Sequence, residues 1–287
     1  MIGKIVSTCG GVYRIYHDGV CYDVFPKGVF KYRKEHLCVG DNVEFDEDRF
    51  VIEKILGRKN ELIRPRCANV DLVLVTMSVV EPDLSEELIY KFLTYVLMHR
   101  IEAKVVLTKV DALTDLSQIK RIRLDLEKIG IETIFVSKDD DSSKKKVRDI
   151  VKGKVVLFMG QTGVGKSSLI NAIDPSFNRK VGEYSNALGR GKHQTKEVIL
   201  LPFEDSFLAD TPGFSSLDLC IYKEDLAQHF PGYEPYYTQC YFSNCLHQNE
   251  KQCKIKEEIQ NGHLSKEAYD IYKKLLNELE YRQARYN

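Results

Sequence analysis

The chain of 287 residues carries no net charge, its 42 lysines and arginines balancing 42 aspartates and glutamates. Without a global basic field, a protein that coats DNA nonspecifically is disfavoured, and any nucleic-acid contact must come from local patches. Also missing is an uninterrupted apolar run of about 20 residues, the length a membrane helix needs. The opening Met1-Ile2-Gly3-Lys4-Ile5 lacks the apolar core of a signal peptide. A cytoplasmic location with no membrane contact is therefore expected. In that setting the eight cysteines read as buried thiols or metal ligands rather than disulfides, and spacing must decide between the two. What the chain does have is 43% hydrophobic residues, enough to fill the cores of about two or three domains.

The most informative stretch is Gly160-Gln161-Thr162-Gly163-Val164-Gly165-Lys166-Ser167, with Ser168 following. It matches G-x-x-x-x-G-K-[ST], succeeds the apolar run Val155 to Phe158 and precedes a helical pattern. Glycines let the backbone fold around an anion, Lys166 reaches the β and γ oxygens of a nucleotide, and the Ser167 hydroxyl suits Mg²⁺. The positive end of the helix dipole adds to the attraction. More than half of the chain lies before this loop, which is an unusual position.

Residues 1–66 read as short strands broken by turns. Asp18-Gly19 between Val12–Tyr16 and Val20–Phe25 signals a hairpin, and Asn42 to Asp46 alternates as a strand with one buried face. A five-stranded barrel of the OB type fits, a fold that commonly binds single-stranded nucleic acid. Tyr13, Tyr16, Tyr22, Phe30, Tyr32, Arg33 and Lys34 offer rings and cations for RNA, with barrel core as the equal alternative for the rings. From Asn69 onward strands and helices alternate, which predicts an α/β domain with a mostly parallel sheet over 67–221. Ser85 is placed to cap a helix bearing Leu88, Phe92, Leu93 and Val96 on one face, and a second helix carries Ile119, Ile122, Leu126 and Ile129. The charged stretches Lys138-Asp139-Asp140-Asp141 and Lys144-Lys145-Lys146 read as a solvated connection.

Thr108-Lys109-Val110-Asp111 follows the strand ending at Leu107, at the strand end where nucleotide folds place ligand contacts. It resembles the guanine-specificity motif of GTPases, with Thr108 where Asn is usual. A carboxylate at Asp111 accepts from both the ring N–H and the exocyclic amine of guanine, while the Lys109 stem covers the base. Ser137 stands where a short backbone motif meets the guanine oxygen, although Lys138 replaces the usual Ala. Downstream, Thr195 is read as closing over Mg²⁺. Asp210-Thr211-Pro212-Gly213 resembles the second metal-side motif, with Asp210 holding Mg²⁺ and the Gly213 N–H meeting the γ-phosphate.

The segment 222–287 carries Cys240-x4-Cys245-x-His247-x5-Cys253. Three thiolates and one imidazole suit a tetrahedral Zn²⁺ with no open position, hence a structural metal in a small, mostly α domain. Cys9, Cys21, Cys38, Cys67 and Cys220 lack such clustering and are read as ordinary buried thiols. Ser265 precedes a helix with Tyr269, Tyr272, Leu276 and Leu279 on one face.

With guanine-side elements ahead of the phosphate loop, the motifs together resemble a circularly permuted GTPase. With the barrel before and the zinc segment after, the whole chain resembles the ribosome small subunit-dependent GTPase family. That resemblance implies a GTP-hydrolysing factor in late maturation of the bacterial small ribosomal subunit, contacting rRNA and stimulated by the subunit. It also points to His193 as the group that orients water, since Phe214 stands where many GTPases carry glutamine. The alternative is a nucleotide-gated regulator of a protein partner, and a P-loop kinase or ATPase is opposed by Asp111. A monomer is expected.

Overall fold

The computed structural model describes residues 1–28, 30, 36–179, 198–211, 219 and 221–286. Five strands, β1 (Ile2–Cys9), β2 (Val12–His17), β3 (Val20–Pro26), β4 (Asn42–Asp46) and β5 (Val51–Ile55), close into a barrel in the order β1-β2-β3-β5-β4. The pairing of β3 with β5 is parallel and that of β1 with β4 antiparallel, an OB-type circuit. Asp18 and Gly19 take positive φ of 46° and 86° between the paired residues His17 and Val20, so the right-handed twist of both strands is kept through the turn. Ile5, Ile15, Val24, Phe30, Val43, Phe45 and Ile52 fill the barrel, and Tyr13 and Tyr22 pack against them. Phe30, Tyr13 and Tyr22, three of the aromatics suggested for RNA, are therefore core or half-core. Tyr16 instead sets its ring edge-on to Phe207, 5.4 Å away. Tyr32, Arg33 and Lys34 lie outside the described residues.

A bulge in β1 between Ile5 and Ser7 frees the Val6 carbonyl, which accepts the Leu200 N–H at 2.9 Å. Val6 and Val39 accordingly belong to the same buried cluster as Val198, Leu200 and the α/β sheet. A short hairpin, β6 (Glu61–Ile63) and β7 (Arg66–Ala68), joins the barrel to the α/β sheet. Gly40 is pressed so close to this hairpin that a Cβ would fall 2.0 Å from the Ala68 oxygen.

The second sheet has the order β10-β9-β8-β11-β13-β12. Its strands are β8 (Leu72–Ser78), β9 (Glu102–Thr108), β10 (Thr133–Val136), β11 (Val155–Met159), β12 (Leu201–Phe203) and β13 (Ser206–Asp210). All pairings are parallel except β12 with β13. Every residue of β8 and β11 is buried, as expected of central parallel strands covered on both faces. Alternate side chains sort onto opposite faces: Val73, Val75 and Met77 meet α1 (Glu86–Met98) and α2 (Ser117–Lys128), while Leu72 and Leu74 meet α3 (Asp141–Val151) and α4 (Lys166–Ile173). Ser85 caps α1 by accepting the Leu88 N–H at 3.2 Å.

One element departs from the sequence reading. The charged stretch from 138 to 146, expected as a connection, mostly forms the start of α3. Asp140 caps it by accepting the Ser142 N–H, and Ser143, Val147 and Val151 supply a buried stripe that the surrounding lysines obscure in the sequence.

Beyond the sheet come α5 (Lys223–His229), α6 (Glu234–Tyr237), α7 (Lys254–Gln260) and α8 (Lys266–Tyr286). Tyr272, Leu276 and Leu279 of α8 are buried, and Lys91 of α1 binds Glu278 at 3.1 Å. Among the described residues no helix is long and apolar enough to cross a membrane. Cys38 and Cys67 are buried as expected, whereas Cys9 is half-buried and Cys21 exposed, because both sit on the outward side of barrel strands; Cys220 lies outside the described residues.

Candidate functional site

Five strand ends converge at the carboxyl edge of the second sheet: Val79 after β8, Thr108 at β9, Ser137 after β10, Gly160 after β11 and Asp210 at β13. This is where open α/β sheets bind ligands. Gly160 through Gly165 form the loop between the central strand β11 and the helix α4 that packs on the sheet. Gly160 lies against β8 so tightly that a Cβ there would sit 2.0 Å from the Thr76 oxygen. Lys166 is buried, with its Nζ donating to the Gly160 and Gln161 carbonyls at 2.9 and 2.8 Å. Ser167, the next residue, donates its hydroxyl to Asp210 Oδ2.

Burial sets the electrostatics of this edge. It lowers the Lys166 ammonium from its ordinary value, an effect that Asp210 partly opposes. It raises the Asp210 carboxyl, opposed by the Ser167 hydrogen bond and by Lys166. Asp210 Oδ1 is buried with no hydrogen-bond partner, and so is Gln161 Oε1. A buried carboxylate oxygen without a partner beside a serine hydroxyl is a donor set suited to a hard cation such as Mg²⁺.

The base-side residues are tied to this loop. Thr108 is buried and its hydroxyl donates to the Val164 carbonyl at 2.6 Å, with Met77 O at 3.3 Å. It therefore braces the phosphate loop from behind. Lys109 adopts a left-handed backbone with φ of 60°, and its Nζ donates to Glu81 O at 2.5 Å. Val110 and Asp111 start a single helical turn, and Asp111 Oδ1 accepts the backbone N–H of Lys138 at 3.2 Å. That bond brings the strand ends of β9 and β10, including Ser137, to one place. Thr162, Gly163 and Ser168 lie on the same loop and first helical turn. His193, Thr195, Gly213 and Phe214 lie outside the described residues.

Val80-Glu81-Pro82 escaped the sequence reading. This turn receives the Lys109 ammonium and brings the Pro82 ring to 3.8 Å from where a Gly163 Cβ would stand. The Glu-Pro pair after a buried strand is the only local signal, and it marks a turn rather than a site.

A second constellation lies in the carboxyl-terminal segment. One ligand atom from each of Cys240, Cys245, His247 and Cys253 falls within 4.8 Å of all the others. His247 Nε2 is 3.1 Å from the Ala227 carbonyl, which only accepts, so Nε2 carries the proton. The Nδ1 lone pair then faces the Cys253 and Cys240 sulfurs at 3.3 and 3.6 Å. Fixing a histidine tautomer through its outer nitrogen is characteristic of metal sites. The α8 hydroxyls of Tyr269 and Tyr272 hold the knuckle backbone, donating to His247 O and Leu246 O at 2.6 and 2.7 Å. Burial pushes the Cys245 and Cys253 thiols above their ordinary range, a cost that a bound cation would reverse. The group fits a metal.

Residues 55–220 match the RsgA GTPase family and residues 2–50 the RsgA N-terminal domain. The small ribosomal subunit biogenesis GTPase RsgA of Staphylococcus haemolyticus is 39% identical, with 99% of each chain covered. Among solved structures, YloQ, titled a circularly permuted GTPase, is similar with a TM-score of 0.80 at 31% identity, covering 98% of this chain and 95% of that one. YjeQ from Thermotoga maritima is similar with a TM-score of 0.81 at 31% identity, covering 97% and 98%. The likeness extends over nearly the full length of both chains, and the chain is a circularly permuted GTPase belonging to the RsgA GTPase family.

Proposed function

We propose that this GTPase converts GTP and water to GDP and phosphate in late maturation of the bacterial small ribosomal subunit, in the cytoplasm, as a monomer that binds rRNA and is stimulated by the subunit. The observation that carries the reading is the convergence of the Asp111 turn, the Lys166 loop and the Asp210 carboxylate on one sheet edge. It occurs in a chain alike over its full length to proteins named small ribosomal subunit biogenesis GTPases.

In this reading Asp111 and Lys109 hold guanine, with Ser137 beside the base and Thr108 and Val110 setting the turn. Residues 160–168 wrap the phosphates. Lys166 leaves its loop carbonyls for the β and γ oxygens, and the Gly213 N–H meets the γ-phosphate. Ser167, Thr195 and Asp210 hold Mg²⁺, which neutralises charge on the phosphates. His193 orients the attacking water. Cys240, Cys245, His247 and Cys253 hold a structural Zn²⁺ that fixes the carboxyl-terminal fold. We assign the domains as a barrel at 1–66, a GTPase domain at 67–221 and a zinc domain at 222–287. On the barrel, Phe25 and Phe50 are exposed and lie beside each other, Phe25 N–H donating to Phe50 O at 2.9 Å, which favours an RNA-facing side there.

The test is steady-state GTP hydrolysis with and without purified small subunits, run on the wild type and on His193→Ala. Stimulation of the wild type and its loss in the variant, with GTP affinity retained, are expected. No stimulation would favour a protein partner instead, and full stimulation of the variant would remove His193 from the mechanism.

A further inference from the structure

The loop between the first two metal-ligand positions carries two large aromatics that the core does not use. Tyr241 and Phe242 are 72% and 47% exposed and meet edge to face, with ring centroids 4.9 Å apart. Neither belongs to the buried cluster that takes up Cys240, Leu246, Tyr269 and Tyr272 from the same segment. Their backbone is nonetheless pinned: Tyr241 N–H donates to Gln252 O at 3.2 Å, and Phe242 O accepts from Cys245 N–H at 3.2 Å. Rings on a backbone held this way lose little conformational freedom when something stacks on them.

The surrounding polar groups point to one kind of occupant. The exposed Lys251 immediately precedes Gln252, whose carbonyl accepts the Tyr241 N–H, and Lys251 makes no ion pair among the described residues. Ser243 and Asn244 are exposed, and their side chains make no hydrogen bond among the described residues. The nearest carboxylate in sequence, Glu250, accepts the Leu246 N–H at 2.8 Å. The patch thus offers a ring face, a hydroxyl, an amide and one available cation. That combination suits an unpaired nucleobase with its flanking phosphate: stacking needs a free base face, and a short amide or hydroxyl reads a base edge. A duplex hides its base faces and has no use for the rings. An apolar protein partner would leave Lys251, Ser243 and Asn244 without a role.

We propose that Tyr241 and Phe242 form a stacking platform for an unpaired RNA base, with Lys251 on the adjoining phosphate and Asn244 and Ser243 at the base edge. This rests on the RNA-binding reading and narrows it to single-stranded RNA at the zinc domain.

The experiment measures binding of a fluorescent, unstructured RNA decamer and of an RNA duplex of equal length to the full-length wild type, Tyr241→Ala/Phe242→Ala, and Tyr241→Phe. Zinc content and melting temperature are recorded for each protein. The double alanine variant should bind the decamer roughly 5- to 150-fold more weakly and the duplex unchanged, while Tyr241→Phe keeps the affinity. Equal decamer binding by wild type and the alanine variant overturns the platform, as does an equal loss for duplex and decamer. Normal decamer binding with lost stimulation by small subunits assigns the rings to a protein contact and also overturns it. If small subunits stimulate hydrolysis by the wild type while the decamer result is negative, only the platform fails. If subunits do not stimulate the wild type at all, the broader functional reading has failed separately.

Discussion

Lys166 and Asp210 are charges held where burial disfavours charge, and the sign of each shift has a consequence for stability. Between 3.8 and its higher folded value, Asp210 keeps a proton that the unfolded chain has released, so stability falls as pH rises through that window. Between its lowered folded value and 10.5, Lys166 has lost a proton that the unfolded chain retains, so stability rises with pH there. At neutral pH both groups subtract from stability. Asp210→Asn should therefore be more stable than the wild type without nucleotide, by about 0.5–2 kcal/mol, while losing Mg²⁺-dependent GTP binding. Lys166→Met gains nothing of the kind, because it leaves the Gly160 and Gln161 carbonyls without their donor. The advantage of Asp210→Asn should grow from acid toward neutral pH. Paired melting curves across pH check this, and a variant that melts lower would show the pocket to be relaxed. At Asp111 the expectation concerns selectivity. Replacing its carboxylate by an amide in Asp111→Asn exchanges an acceptor for a donor. GTP should bind roughly 10²- to 10³-fold more weakly and xanthosine triphosphate correspondingly better, measured by competition.

At the scale of elements, the brace between β9 and the phosphate loop is a single hydroxyl. Thr108→Val keeps the shape and removes the bond to Val164 O, leaving a buried carbonyl without its donor. Nucleotide affinity should fall roughly 5- to 150-fold with little change at the Cys₃His knuckle, as read by titration and by metal content. The role of that hydroxyl was not legible in the sequence. The tetrapeptide from Thr108 to Asp111 suggested a contact with the base, because side-chain direction at a strand end is decided by packing against β8 and the loop. Glycine spacing, by contrast, made the loop plain: Gly160 is where Thr76 O leaves no room for a Cβ. The ligand spacing of the knuckle was similarly readable, whereas its tautomer lock by Ala227, twenty residues upstream, was not. The helix α3 was missed because three lysines in a row mask a stripe of only a few buried residues. Removing metal from the knuckle should release α7 and α8 from it. A chelator at neutral pH should lower the melting temperature and reduce helical circular dichroism, with readdition of the metal restoring both.

For the whole molecule, the barrel and the nucleotide sheet share a core through Val6, Val39, Val198 and Leu200. A fragment spanning 67–287 would expose that apolar surface and lose the bond from the Leu200 N–H to Val6 O. It should aggregate or melt well below the intact chain, and supplying residues 1–66 in trans should partly rescue it; a fragment as stable as the whole chain would contradict this. The nucleotide sheet is circularly permuted. The order of strands along the chain is changed, yet the same edge is assembled, since only the spatial neighbours of β11 matter to the loop it carries.

The bulge at Val6 also has a meaning in time. During synthesis the barrel emerges first and can fill its interior from its own residues, but the carbonyl at Val6 waits for Leu200. At elongation speeds of about 5–20 residues per second that interval is roughly 10–40 s. Throughout it, the young barrel presents an unfinished apolar seam, which is covered only once Leu200 has been made.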